Sequence, residues 1–232
     1  MTNHPHPSFV RLVWLAVGLT AMPLAASAQS TGRLYDPMPP EDSAYVRVVQ
    51  AGPGSPVAVS VDGKVKVKQL AARTPSEYWV LPAGKHVIQL QSAGKAGPRV
   101  TLDAAEQGAY TIAFPSAAAN ARAYTFQDRT GTNKLKAMMA VYHLAPGAGT
   151  IDVTTADGKT KVFTGLKAGT PAILEVNPIQ VKLVASRGAT PLANAALNMR
   201  QGNAYSVFLF PSGAQGISAA TVQNERERYI GK

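Results

Sequence analysis

The chain contains no cysteine. No disulfide can staple it, no thiolate can serve as nucleophile or metal ligand, and each domain must be held by its apolar core alone. Histidine is nearly as scarce: four occur, and His4 and His6 precede the first apolar run, which leaves His86 and His143. No pair of histidines has metal-ligand spacing and no series of carboxylates resembles a calcium loop, so no metal and no other cofactor is expected. A Gly-x-Ser-x-Gly elbow and a Gly-Asp-Ser nucleophile segment are both missing; acyl transfer needs a nucleophile beside an oriented base, so no catalytic residue is assigned. The glycine-containing stretches "AGPGSP" and "APGAGT" lack the Lys-Ser/Thr ending of a phosphate loop and precede strand patterns, which makes them turns.

Long apolar runs are also rare. The one candidate, Leu12–Leu24, follows the positive charge of Arg11 and ends at Ala26-Ser27-Ala28. It is shorter than the roughly 20 apolar residues a membrane span needs and has the three-part form of a secretory signal. Residues 1–28 are therefore read as a cleaved signal peptide, giving an exported, periplasmic protein that begins at Gln29 and has no membrane span. Acidic residues are the other shortage, 13 Asp and Glu against 23 Lys and Arg, for a net charge of +10. Such a balance attracts an anionic partner, whether an acidic polysaccharide, a membrane surface or an acidic protein face, or it simply maintains solubility. Export argues against nucleic acid.

What remains is strand pattern almost throughout. In "PVAVSVDGKVKVKQL", Val57, Val59 and Val61 fall on one face, Asp62-Gly63 makes the turn, and Lys64, Lys66 and Lys68 alternate with Val65 and Val67 on the return. Asp-Gly suits a two-residue type I′ turn, in which both central residues need positive φ. Further strands are expected at "AYVRVVQ", "EYWVL", "KHVIQLQ", "RVTL", "AYTIAF" and "AYTFQ", punctuated by Pro, Gly, Asn and Asp. Only "PLANAALNM" leaves helix competing with strand.

The second half repeats these signals in order. "VSVDGKVKV" returns as "TTADGKTKV", Thr74-Pro75 as Thr170-Pro171, Pro82 as Pro178, and "EQGAYTIAFPS" as "RQGNAYSVFLFPS", at a constant offset of about 95 residues. The period is too long for a solenoid, whose units span roughly 20 to 50 residues. The expected fold is all-β: two tandem immunoglobulin-like β-sandwich domains derived by internal duplication. The expected division is a signal peptide (1–28), an extended Pro-rich lead (29–42), a first sandwich (43–127), a linker (128–133), a second sandwich (134–223) and a charged tail (224–232).

Two surfaces are candidates for binding. Lys64, Lys66 and Lys68, with Lys159 and Lys161 at the equivalent place in the second half, would present a positive rib to a polyanion; lysines on an exposed strand also simply block edge-to-edge aggregation. Tyr78 and Trp79, the latter the sole tryptophan outside the leader, would stack on a sugar ring if exposed and fill the core if buried. His86 lies at the margin of an apolar face with Ile88 and Leu90, and His143 sits in "MMAVYHL", a strand apolar on both faces. Each reads as structural because nothing nearby completes a set of nucleophile, base and orienter.

With "LYDPMPPEDSAYVRV" leading into two β domains, and "TTADGKTKV" and "LEVNPIQVKL" in the second, the chain resembles the alginate O-acetylation AlgF family. The stretches "YVRVVQAGPGSPVAVSVDGK" and "LPAGKHVIQLQSAG" are also similar to a wider class of exported immunoglobulin-like modules. The AlgF resemblance implies a periplasmic accessory protein that binds the polysaccharide O-acetyltransferases and the membrane acyltransferase of an exopolysaccharide acetylation system without performing the transfer. Two alternatives stay open: a carbohydrate-binding module unconnected with acetylation, and an accessory protein for acetylation of bacterial cellulose.

Overall fold

The computed structural model describes Met1 and residues 39–92, 94–129 and 133–225. Apart from Met1, the expected leader lies outside the described residues, as do positions 29–38 of the lead, 130–132 of the linker and 226–232 of the tail. The described residues from 39 onward fall within one compact unit, Asp36–Lys232.

The first half contains β1 (Ser43–Gln50), β2 (Val57–Val61), β3 (Lys64–Leu70), β4 (Thr74–Pro75), β5 (Trp79–Pro82), β6 (Gly84–Ser92), β7 (Lys95–Ala104), β8 (Ala109–Phe114) and β9 (Tyr124–Gln127). The second contains β10 (Ala137–His143), β11 (Ile151–Thr155), β12 (Lys161–Leu166), β13 (Pro171–Val176), β14 (Ile179–Arg187), β15 (Thr190–Met199), β16 (Ala204–Ser212) and β17 (Gly216–Gln223). "PLANAALNM" resolves as strand β15, paired along its length with β14. Each half is a sandwich of two sheets. In the first, β4-β1-β8-β9, with β5 also on β1, faces β3-β2-β6-β7; in the second, β13-β10-β16-β17 faces β12-β11-β14-β15. The order is the same in both, including a parallel pairing of the opening strand with the penultimate one, β1 with β8 and β10 with β16.

Duplication is visible at atomic detail too. Tyr110 and Tyr205, 95 positions apart, each accept a hydrogen bond on the phenol oxygen at 3.0 Å from a backbone N–H five residues upstream, Ala105 and Arg200. This is the tyrosine corner familiar from immunoglobulin-like sandwiches. The two Asp-Gly turns, by contrast, have diverged. Asp62 and Gly63 both have positive φ, 50° and 80°, as a type I′ turn requires. In the second half Gly158 alone is positive, at 71°, and its N–H bonds to Thr155 while Thr155 N–H bonds to Thr160, making a longer loop that Asp157 stabilises from its side chain.

Alternation explains how the halves join. On β1, Val46 and Val48 enter the first core while Val49 faces the other way; on β8, Ile112 and Phe114 point inward and Ala113 outward. Likewise on β10 and β16, Met139, Val141, Val207 and Leu209 fill the second core, whereas Ala140, Tyr142, Phe208 and Phe210 face outward. Those outward residues do not meet water: they form a third apolar cluster shared by both halves. The two inner sheets are therefore buried on both faces, which is why β10 reads as continuously apolar rather than alternating.

Candidate functional site

At the centre of the shared layer lies a charge. Arg47, on the outward face of β1, is 1% exposed, and its guanidinium donates to Thr111 Oγ1 (2.8 Å), Ser206 Oγ (2.8 Å) and Asn224 Oδ1 (2.9 Å). Thr111 and Ser206 occupy equivalent places in the duplicated strands β8 and β16, so one arginine from the first copy is held by the same hydroxyl position of both. Its cation sits 4.4 Å from the Tyr78 ring centroid, 5.0 Å from Phe208 and 5.4 Å from Tyr142. The counter-charge arrives through hydroxyls: Asp128 accepts from Thr111 (2.6 Å), Tyr78 (2.8 Å) and Tyr142 (2.6 Å). Burial raises the pKa of both phenols well above the ordinary value near 10, so they remain neutral donors. The network is a hydrogen-bonded junction between the sandwiches.

Both histidines have a hydrogen-bond partner at each ring nitrogen. His86 contacts Asp62 Oδ2 at 2.7 Å through Nδ1 and the Pro82 carbonyl at 2.8 Å through Nε2. Both partners are acceptors, so the ring fits as a doubly donating imidazolium that clamps the β2–β3 turn. Burial alone would lower its pKa, but the hydrogen bonds to Asp62 and Pro82 and the Asp62 charge outweigh it and raise the value above 6.5. His143 is wholly buried; Nε2 donates to the Gly149 carbonyl at 2.7 Å and Nδ1 accepts from Ala145 N–H at 3.3 Å, which fixes a neutral tautomer. Its pKa is lowered by burial, only partly offset by the bond to Gly149.

These opposite shifts give opposite linkages. The His86 contribution is complete below pH 6.5 and is lost as pH rises through its raised folded value. The His143 contribution is complete above pH 6.5 and is lost as pH falls through its depressed one. Asp62, lowered chiefly by the His86 hydrogen bond, contributes above its ordinary 3.8 and loses that contribution as acid reaches its lowered folded value. In a chain beginning at Gln29, the two imidazole proton resonances should titrate on either side of pH 6.5, His86 above and His143 below. Titration of both on the same side would contradict the hydrogen-bond assignments.

The lysines expected to bind a polyanion are all exposed, but β3 does not carry them as one rib. Lys64 pairs with Val61, Val65 with Ser60 and Val67 with Val59, so a register shift inserts Lys66 and breaks strict alternation; Val65 is 53% exposed as a result. Lys159 lies in the loop before β12 and Lys161 begins that strand. The sugar-stacking expectation is corrected. Trp79 is 3% exposed within the first core, and Tyr78 is 6% exposed with a ring face covered by Arg47, so neither offers a free face to a sugar.

One cleft opens beside the junction, about 440 Å³ in volume. Tyr78, Asp128 and Asn224 connect it to the Arg47 network, while Arg129, Lys134 and Lys136 from the segment between the sandwiches bring positive charge and Glu175 of β13 a negative one. The segment is shaped by Asn133, whose side chain accepts from Leu135 N–H (2.9 Å) and whose carbonyl accepts from Lys136 N–H (3.1 Å). This turn turns Leu135 outward, 71% exposed. Sequence reading missed both Arg47 and the cleft. A signal for Arg47 existed, since alternation puts it on one face with Val49 and Ala51; the cleft joins residues too far apart in the chain to leave one.

The family model described as "Alginate O-acetyl transferase AlgF" matches residues 16–205. The alginate biosynthesis protein AlgF of Pseudomonas putida is 28% identical over 207 residues, covering 89% of this chain and 91% of that protein. Its counterpart in Pseudomonas aeruginosa is 28% identical over 214 residues, covering 90% and 94%. A solved structure of the C-terminal domain of AlgF from P. aeruginosa matches 40% of this chain and all of that domain at 26% identity, with a TM-score of 0.33.

Proposed function

This chain belongs to the AlgF family, and on that premise we propose that it is a non-catalytic periplasmic adaptor required for O-acetylation of alginate or an alginate-like exopolysaccharide, where it binds the acetyltransferases of the pathway. The role in alginate acetylation follows from family membership. Export is supported by the signal-like leader, and among the described residues no helix is long and apolar enough to cross a membrane.

The observation that carries the non-catalytic reading is the engagement of both imidazoles. Transferase chemistry, which the family description names, needs a base free to take a proton from a nucleophile. His86 spends both ring nitrogens on Asp62 and Pro82, and His143 spends both on Gly149 and Ala145. What the fold offers is a pair of sandwiches joined through a shared apolar layer, a form suited to holding other proteins.

The test is the ester-linked acetate on the exopolysaccharide of a strain lacking the protein, complemented with the native chain or with His86→Ala/His143→Gln. Deletion should abolish acetylation and both versions should restore it. Rescue by the native chain alone, with the variant folded and present at equal level, would return catalysis to consideration; acetate unchanged by deletion would remove the protein from the pathway. A second reading, polysaccharide binding, draws on the five exposed lysines and predicts affinity for alginate that falls as salt is added.

A further inference from the structure

We propose that the cleft between the sandwiches, together with the exposed Leu135 that falls between two of its lining lysines in the chain, is a docking site for an acidic segment of a partner protein, one that presents carboxylates beside an apolar side chain. The inference rests on the adaptor reading and names the surface through which it acts.

Three cations converge there. Arg129, Lys134 and Lys136 line the cleft, and none makes an ion pair or side-chain hydrogen bond among the described residues. Arg47 nearby is fully committed to Thr111, Ser206 and Asn224, so the three lining cations are the ones left to recruit an outside carboxylate. Lys134 and Lys136 are presented by an ordered turn: Asn133 accepts hydrogen bonds from Leu135 N–H and Lys136 N–H, and Lys136 carbonyl in turn accepts from Gly202 N–H at 2.8 Å. Charges placed by ordered backbone lose less entropy on binding than charges on loose loops.

Two features favour a peptide over an acidic polysaccharide. Glu175 and Asp128 also line the cleft, so the site carries both signs. A uniformly anionic polymer repeats its carboxylate on successive sugars and cannot avoid those two, whereas a peptide can place a neutral or basic side chain opposite them. Leu135, 71% exposed and next in the chain to two of the lining lysines, offers an apolar contact beside the cleft for which a charged sugar has no counterpart, while protein interfaces commonly combine apolar anchors with a polar rim.

The experiment uses the full mature chain and the purified alginate O-acetyltransferase of the same strain, with affinity measured by calorimetry at low and at physiological salt. Arg129→Glu/Lys134→Glu/Lys136→Glu and, separately, Leu135→Asp should each weaken binding at least about tenfold, the triple variant losing most of its salt dependence. Lys95→Glu/Arg99→Glu/Lys182→Glu, on the outer sheets, should bind as the native chain does. Every variant should melt as the native chain does, since the altered side chains project into solvent or into the open cleft. If the native chain binds and both cleft variants bind equally well, the cleft is not the docking site, although the adaptor reading survives. If the native chain binds no acetyltransferase, the adaptor reading itself fails. If an oligomannuronate binds the native chain and not the triple variant, the site belongs to the polymer and the proposal is overturned.

Discussion

Arg47→Ala is expected to destabilise the protein by about 3–5 kcal/mol, a large share of the roughly 5–15 kcal/mol that holds a typical domain together. The substitution strands Thr111, Ser206 and Asn224 without their donor, removes the cation that Tyr78, Tyr142 and Phe208 surround, and opens a cavity in a layer buried on both sides. It also leaves Asp128 with three hydroxyl donors and no cation behind them. Denaturant unfolding, followed by a probe in each half, should show a lower midpoint. It should also show two separated transitions in place of one, because the residue removed joins the halves rather than filling either core.

Arg47→Met tells the electrostatic part from the packing part. Methionine restores much of the volume and brings no charge, and replacing a buried ion by an apolar side chain is often neutral or stabilising. If Arg47→Met costs as much as Arg47→Ala, the hydrogen bonds to the paired hydroxyls carry the stability. If it costs much less, the arginine is retained for specificity, fixing one relative placement of two sandwiches that could otherwise slide face on face. A native-like midpoint for Arg47→Ala would mean that the network contributes nothing net to docking.

How much of this was legible in the sequence depends on the range over which the determining residues act. The β2–β3 turn was legible because Asp62 and Gly63 decide it between themselves. Collinear repeats made the duplication legible, and the tyrosine corners at Tyr110 and Tyr205 bear it out. The double burial of β10 was visible in "MMAVYHL" as an apolar strand without alternation. The even rib of lysines on β3 was not visible as a misreading, because a bulge is set by the register of the neighbouring strand and leaves no mark in the residues that alternate. Tyr78 presented two readings, and burial decided between them through Arg47, which lies 31 positions earlier in the chain. The docking of the halves was hidden for the same reason: its residues are read one strand at a time, while the contact forms between strands from opposite ends of the chain.

Phe208→Ala carries the second large expectation, about 3–5 kcal/mol from lost transfer energy and the cavity left behind. Phe208 is fully buried and stacks on Tyr142 at 4.9 Å and on Phe210 at 5.7 Å. Its register explains why the site needs bulk. Val49 pairs with Ala113 across β1 and β8, and the equivalent pair across β10 and β16 is Tyr142 with Phe208. The two copies meet through the same face, so unmodified duplicates would have set bulk against bulk or gap against gap. At these two positions divergence gave small residues to the first copy and aromatic rings to the second, while Phe126 of β9 sets a first-copy ring edge-on to Tyr142 at 5.2 Å, and Arg47 stands where the second copy has Ala140. Truncating Phe208 therefore leaves a hole that Ala113 and Val49 are too short to fill, whereas Phe208→Leu should recover a large part of the loss. The compensating pair Ala113→Leu/Phe208→Ala should recover part of it as well, and a double variant no more stable than Phe208→Ala alone would show that these two positions do not share one packed layer.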